Sequence, residues 1–451
     1  MKEARQNNKV WVTYKDGVYD LTQFAKNHPG GSEKLLMAKG GPIEPFWEQY
    51  PFHKEGVVLD LLAKYRIGDL HKDDILDEKD LPDFKDLQSQ NLGRSDKLPL
   101  LQKFPYCAET PNENLQYSNE NWVTPNMQMF ERNHNLIPEI SLEDYELELI
   151  VKGKNEDDPI VLSFPELKQL GDKKVTATIA CAGNKRSYIQ SQFQNIKGLK
   201  WTIGAVGNSV YKGVPVRDII LTKMGLKEED LVGKGLHLIA VGYDADFQGK
   251  NYEVSIPLES ALDPKNEILL AYEMNGTHIP KMHGFPVRLV VPGYIGVRSA
   301  KWLHKLIISD EEADSAPQRR DYKIVKDKDM TTVQWAKHTP VNGQVLNSAI
   351  AFPVNGQEIA RASLEGGIIE ISGYAYGNGE KGTQVTKVEI SLDDGQTWRE
   401  ANDYIMEHKK PGEKVFSWTL WKCELDLDKC LAPGQDRVRV KVRATANDGE
   451  V

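Results

Sequence analysis

Residues 175–187 read VTATIACAGNKRS, and the organisation of the chain follows from them. Thr alternates with Val, Ala and Ile, the period-two pattern of a strand, until the run ends at Cys181. Gly183 and Asn184 are turn formers, and Lys185 and Arg186 then bring positive charge beside the sulfur. Further strand patterns follow in HLIAVG (237–242) and VRLVVPGYIGV (287–297), separated by helical segments such as PVRDIILTKMG (215–225). Mixed strands and short helices over 121–325 predict an α+β domain with Cys181 at a strand end.

The flanks differ from this block. From about residue 335, GIIEISGYAY, TKVEISLDDGQTW, KVFSWTLWKCEL and RVRVKVRATA alternate with regular turns, which predicts an all-β sandwich. Residues 10–70 predict a small α+β unit, with VWVTYKDGVYDLTQF as two strands around a Lys-Asp-Gly turn. Helical periodicity is read through VVLDLLAKYRIGDL (57–70). The acidic run HKDDILDEKDLPDFKD (71–86) lacks paired apolar positions and reads as a solvated linker. The expected division is a multidomain α+β chain: 1–71, a linker over 72–95, a central domain over 96–325, and a sandwich over 326–451.

Composition narrows the classes of function. The chain has 451 residues, with 57 Lys+Arg against 66 Asp+Glu, a formal charge of −9. An acidic total argues against general nucleic-acid binding. No run reaches the roughly 18 apolar residues of a membrane span. Four Cys without CxxC spacing argue against a disulfide scaffold or a Cys-based zinc finger.

Two constellations carry chemistry. His28 stands in NHPGGSE, where Pro29 fixes a turn and the glycines allow a flat ligand close to the backbone; His53 follows 25 positions later. A lone His-Pro-Gly is ordinarily a loop histidine, and a lone Cys such as Cys181 is ordinarily a small buried hydrophobe. The HPGG and second histidine together resemble the cytochrome b5 fold, whose two histidines clamp haem iron from opposite sides. FERNH (130–134), CAGNKR (181–186), GLKW (198–201), YEMNG (272–276), HGFPVR (283–288), SAKW (299–302) and QRRDYK (318–323) resemble the molybdopterin domain of the sulfite oxidases. The domain order resembles the animal-type members of that family, over essentially the whole chain.

The resemblance implies a fold of three parts: a cytochrome b5-like α+β domain, a mixed α+β molybdopterin domain and an immunoglobulin-like dimerisation sandwich. It implies two cofactors, haem b on His28 and His53, and molybdenum-molybdopterin with Cys181 as the metal's protein ligand. The pterin would be held by Phe130, Glu131, Arg132, Asn133, His134, Asp244, His283, Arg288, Ser299, Ala300 and Lys301. Arg132, Arg186, Lys197, Trp201 and Tyr322 would form the substrate-anion pocket, where planar Arg forks suit an oxyanion. The implied reaction is oxidation of sulfite to sulfate, with electrons leaving through haem to cytochrome c. A homodimer in the mitochondrial intermembrane space is implied likewise.

Some features depart from the family. Residue 185 is Lys where the family commonly has Arg. A WNLRG-like motif expected after the sandwich does not occur before the final RATANDGEV, so the chain is expected to be clipped at both ends. Two alternative functions are a nitrate reductase-like molybdoenzyme, disfavoured by domain order and the lack of GxGxxG, and a haem carrier with an inactive molybdenum domain. SLDDGQTW (391–398) fits the Asp-box of sialidases but reads as a hairpin turn.

Overall fold

The structure is a computed structural model that describes residues 9–28, 35–36, 38–49, 51–54, 56–71, 74–75, 92–103, 105–193, 196, 198–246, 249–325, 333–431, 435 and 437–451. Lys197 and most of the acidic linker reading (72–73 and 76–91) lie outside the described residues.

Near the N-terminus, Trp11–Tyr14 and Gly17–Asp20 form the expected hairpin, in the register Trp11↔Asp20 to Tyr14↔Gly17. Alternation along these strands turns Val12 and Tyr19 inward onto Ile43, Trp47 and Leu62. The helix Gly56–Ala63 stops short of the periodicity read from the sequence. Arg66–Asp69 instead form a third strand, which pairs with Gly17–Asp20. The pairing edge offered by that strand, together with Gly68, outweighs an amphipathic pattern that Lys64 and Tyr65 alone would continue.

The central region contains two five-stranded sheets. One runs in the order Thr277–His278, Leu269–Met274, Val206–Pro215, Lys173–Ala180, with Arg288–Val290 also on Leu269–Met274. The other runs Asn251–Pro257, His237–Ala245, Leu303–Ser309, Glu146–Val151, Ile160–Ser163, and its Leu303–Ser309 to Glu146–Val151 pairing is parallel. Leu147, Leu149, Leu238, Leu270, Leu289 and Leu306 interlock in the core linking both sheets. A small third sheet pairs Cys107–Ala108 with Glu131–Arg132, and this delivers Arg132 to the site.

The C-terminal region is a sandwich. One sheet orders Asn347–Phe352, Ile368–Tyr376, Thr419–Asp426, Asp403–Ile405; the other orders Arg399–Glu400, Val385–Ser391, Lys441–Ala446. Ile371, Trp421 and Cys423 of the first face Val388, Ile390 and Ala444 of the second across a shared core. The Asp-box stretch is the expected turn: Asp393 accepts from the Thr397 N–H and hydroxyl, and Trp398 donates to Gly395 O at 3.1 Å.

Leu306 is fully buried on the central strand of its sheet. Leu306→Ala should therefore lower unfolding free energy by about 2–5 kcal/mol, read as a shift of the urea midpoint; an unchanged midpoint would contradict this core.

Candidate active site

The site is built on the turn that ends the strand Lys173–Ala180. Antiparallel pairing holds that strand end against Val206, and the Cys181 N–H donates to Ala205 O at 2.9 Å. The Gly183 N–H points back to the Cys181 sulfur at 3.3 Å. Lys185 then adopts φ 65° and turns the chain into the helix Arg186–Gln192. Burial pushes the Cys181 thiol up, outweighing the Gly183 N–H and the charges of Arg132 and Arg186. Lys185 points away, donating to Asn347 Oδ1 and Ser348 O at 2.7 Å each. A thiol so enclosed gives up its proton when a soft metal takes its place.

Arg186 is positioned by two glycines of the sequence motifs. A Cβ on Gly183 would lie 2.6 Å from its guanidinium, and one on Gly198 2.8 Å away, while Arg186 Nη1 donates to Leu199 O at 3.1 Å. Gly198 also has φ 112°, which L side chains rarely adopt. Arg132 donates from Nη1 to Asn133 O, with Cys107 Sγ 3.6 Å away. Tyr322 closes this side, its hydroxyl 3.1 Å from His134 Nε2, and burial raises its phenol to about 12.

The opposite wall is formed by the other motifs. Phe130, Arg132, His134, Cys181, Asp244, His283, Arg288, Ser299, Ala300, Lys301 and Tyr322 all line one cavity. Arg288 donates to His283 O at 2.9 Å and Ser299 O at 3.1 Å, but its buried Nε has no partner among the described residues. Lys301 donates to Asn133 Oδ1 and, at 3.0 Å, to Met282 O. Asp244 accepts from Asn135 at 3.1 Å through Oδ2 and leaves Oδ1 unsatisfied. Burial raises Asp244 and lowers Lys301. His283 is driven to about 3 by burial and by Lys301 and Arg288, so it is neutral and donates from Nε2 to Asn126 O at 2.8 Å. Orphaned buried donors and acceptors beside a thiol are what a pterin ring with an anionic tail would satisfy, so the residues fit a molybdenum-pterin.

Trp201 and Glu131 are not among the residues that line this cavity. Trp201 is 1% exposed in the core cluster with Cys107 and Phe130, and the Glu131 side chain is held by Arg94 at 2.8 and 3.1 Å. Tyr252, missed in the sequence, lines the cavity, donates to Val297 O at 2.9 Å and packs on His134 at 5.3 Å. It lies in an ordinary strand alternation, NYEVSIP, which carries no chemical signal.

In the N-terminal unit His28 ends the short 3-10 helix Phe24–Asn27, and His53 lies in Pro51–Lys54. Their ring centres are 6.1 Å apart at 27°. A metal–nitrogen bond of about 2 Å on each side, plus roughly 1 Å from ring centre to nitrogen, predicts about 6 Å for two imidazoles on one metal. Phe24 and Trp47 flank the pair at 5.7 and 5.5 Å. The two histidines fit a haem.

Comparison with known proteins matches three regions of the chain to domain families. Residues 1–71 match a cytochrome b5-like heme/steroid binding domain, 134–317 an oxidoreductase molybdopterin binding domain, and 339–450 a Mo-co oxidoreductase dimerisation domain. The fold and site define a molybdopterin oxidoreductase that carries a haem-binding cytochrome b5-type domain. The dimerisation domain supports a homodimer, and no helix among the described residues is long and apolar enough to cross a membrane. Sulfite oxidase of Gallus gallus is 38% identical over 93% of this chain and 87% of its own length; the mitochondrial sulfite oxidase of Homo sapiens is 37% identical over 98% and 76%. The chain belongs to the sulfite oxidase family. A nitrate reductase of Phaseolus vulgaris is 31% identical but is covered over only 38% of its length. Among solved structures, the sulfane dehydrogenase SoxCD from Paracoccus pantotrophus matches with a TM-score of 0.59 at 26% identity, over 76% of this chain and 77% of that one.

Two outcomes follow from the geometry. Gly198→Ala displaces the Arg186 guanidinium, so inorganic sulfate, as a probe anion, should bind about 10- to 100-fold more weakly by calorimetric titration. Unchanged affinity would mean that Arg186 does not meet the anion. His283 keeps a folded pKa of about 3, well below its ordinary value. The unfolded chain therefore takes up the proton first, and stability is lost as pH falls below about 6.5. Between pH 7 and 5, His283→Gln should show a shallower loss than wild type in urea unfolding; equal slopes would refute it.

Proposed function

We propose that this chain oxidises sulfite to sulfate at a molybdenum-molybdopterin centre held by Cys181, and passes the electrons through haem b on His28 and His53 to cytochrome c. The observation that carries the reading is the meeting of Cys181, Arg132 and Tyr322 in one cavity, with Arg186 fixed on the adjoining turn. Molybdenum would supply two-electron oxygen-atom transfer, and haem the one-electron relay. The protein's part is to bind, orient and exclude water.

Arg186 and Arg132 fix the oxygens of an oxyanion and leave its sulfur lone pair free, since guanidinium donors are planar and permanently charged. Lys197 and Trp201 are assigned to the same pocket by resemblance. Tyr322 stays protonated at neutral pH and so donates a hydrogen bond to substrate or product, while His134 holds its hydroxyl. Phe130 to His134, Asp244, His283, Arg288 and Ser299 to Lys301 would hold the pterin and its phosphate. The proposed domain limits are 1–71, 72–95, 96–325 and 326–451. The mitochondrial relatives support a mitochondrial location, and we assign it to the intermembrane space. The charge of −9 suits a basic acceptor such as cytochrome c.

The test is sulfite-dependent reduction of ferricytochrome c by the molybdenum- and haem-loaded protein. His28→Ala should lose the haem absorption and cytochrome c reduction, yet keep sulfite-dependent reduction of ferricyanide taken directly from the molybdenum centre. Tyr322→Phe should lower kcat/KM by about 10²-fold, the usual scale for a positioned proton-transfer group. Absence of any sulfite-dependent reduction by wild type would end the proposal.

A further inference from the structure

The turn that carries Cys181 and Arg186 is tied to the C-terminal sandwich by side-chain hydrogen bonds. Asn184 Nδ2 donates to the Tyr374 hydroxyl at 2.8 Å, and that hydroxyl donates to Ile203 O at 2.7 Å. Asn184 Oδ1 also accepts from the Ala205 N–H at 3.2 Å, one residue from the strand facing Cys181. Lys185 sends Nζ to Asn347 Oδ1 and Ser348 O, both at 2.7 Å.

The sandwich end of these bonds is rigid. Tyr374 is fully buried, stacked on Trp418 at 5.7 Å and Tyr376 at 6.1 Å. Asn347 is paired with Tyr376 in the strand register and donates to its hydroxyl at 3.0 Å. Lys185 is half-buried, and no carboxylate pairs with it among the described residues; desolvation lowers it to about 8. Desolvating a lysine without an acid partner is costly, so its three-donor head is placed here for geometry and not for a salt bridge.

We infer that Asn184 and Lys185 are positioning residues through which Tyr374, Asn347 and Ser348 of the sandwich set the turn bearing Cys181 and Arg186. The sandwich thereby supports the turn from behind, in addition to serving as a dimerisation domain. Two residues separate Cys181 from Asn184, and one peptide joins Lys185 to Arg186. A shift of either anchor reaches the sulfur and the guanidinium without passing through flexible chain. The reading of substrate as an oxyanion rests on the proposed function; the positional claim does not.

The experiment uses the full, cofactor-loaded chain. Tyr374→Phe keeps the ring stack and removes the hydroxyl; Lys185→Met removes the donors; Lys185→Arg restores donors and charge. Tyr117→Phe is the control, because Tyr117 makes an equally short bond to the sandwich, 2.6 Å to Asp403, away from the turn. Tyr374→Phe and Lys185→Met should speed hydrogen exchange of the 183–187 amides about tenfold and raise KM for sulfite about tenfold, with kcat within about twofold. Lys185→Arg should return both toward wild type, and Tyr117→Phe should change neither. Wild-type exchange and KM in both variants would overturn the inference. So would faster exchange spread over the whole chain, which marks a merely structural contact. If wild type does not oxidise sulfite, the functional reading fails, while local exchange at 183–187 still decides the positional one.

Discussion

Buried positive charge without acid partners is the constraint around which the centre of this molecule is arranged. Arg132, Arg288 and Lys301 line one cavity, Arg186 stands at its edge, and no ion pair among the described residues holds any of the four. Ionised groups out of water cost several kcal/mol each, and in a chain of net charge −9 nearby carboxylates would be easy to supply. The wall offers only Asp244, itself pushed toward the neutral form by burial. Such a wall is stable only if carbonyls solvate it and an anion completes it. The carbonyls are present: Asn133 O, His283 O, Ser299 O, Leu199 O and Met282 O each accept from one of these cations. The remaining capacity, Arg288 Nε among it, is addressed to a ligand.

Holding four cations at one place requires several separate pieces of backbone, which explains the number of motifs. Arg132 arrives on a two-residue strand paired with Cys107–Ala108, Arg186 on the turn after the Cys181 strand, Arg288 on the edge strand Arg288–Val290, and Lys301 just before the strand Leu303–Ser309. Each strand end is fixed by its ladder, so charge that would spread apart in solution is held by hydrogen bonds made far from it. Gly284 shows how closely these pieces meet. It has φ 111°, and a Cβ there would stand 3.0 Å from Lys301 and 3.1 Å from Arg288.

What could be read from the sequence is what depends on local chemistry. The strand into Cys181, the Gly183 turn, the hairpins at 11–20 and 391–400, and the sandwich alternation each rest on residues within a few positions of one another. His28 and His53, 25 apart in sequence, stand with ring centres 6.1 Å apart, and the Pro and Gly that follow His28 in the sequence already mark that position. What could not be read depends on long-range pairing. Lys185 looked like a charge beside the sulfur, yet its partner lies 162 residues away, and its φ of 65° turns the side chain toward the sandwich. The strand Arg66–Asp69 was hidden in a helical period because its partner is at 17–20. Trp201 carries no mark that separates a substrate contact from core; it is buried in the cluster against which Cys181 packs.

The two cofactor sites make opposite demands on the chain, and that is a reason for separate domains. The molybdenum cavity must be dry and cationic, so it is walled by two sheets, by the turn after Cys181 and by loops that cross between them. On the proposed function, the haem must instead come near the surface to meet an external acceptor. His28 and His53 are accordingly half-buried, held by short 3-10 turns at the end of a three-stranded sheet, with exposed Val57 close by in sequence. One core could not serve both. Opening the molybdenum cavity would hydrate its cations and weaken their hold on an anion. Joining the two through an acidic stretch of sequence keeps each solvent regime intact while holding the electron source and the carrier in one chain.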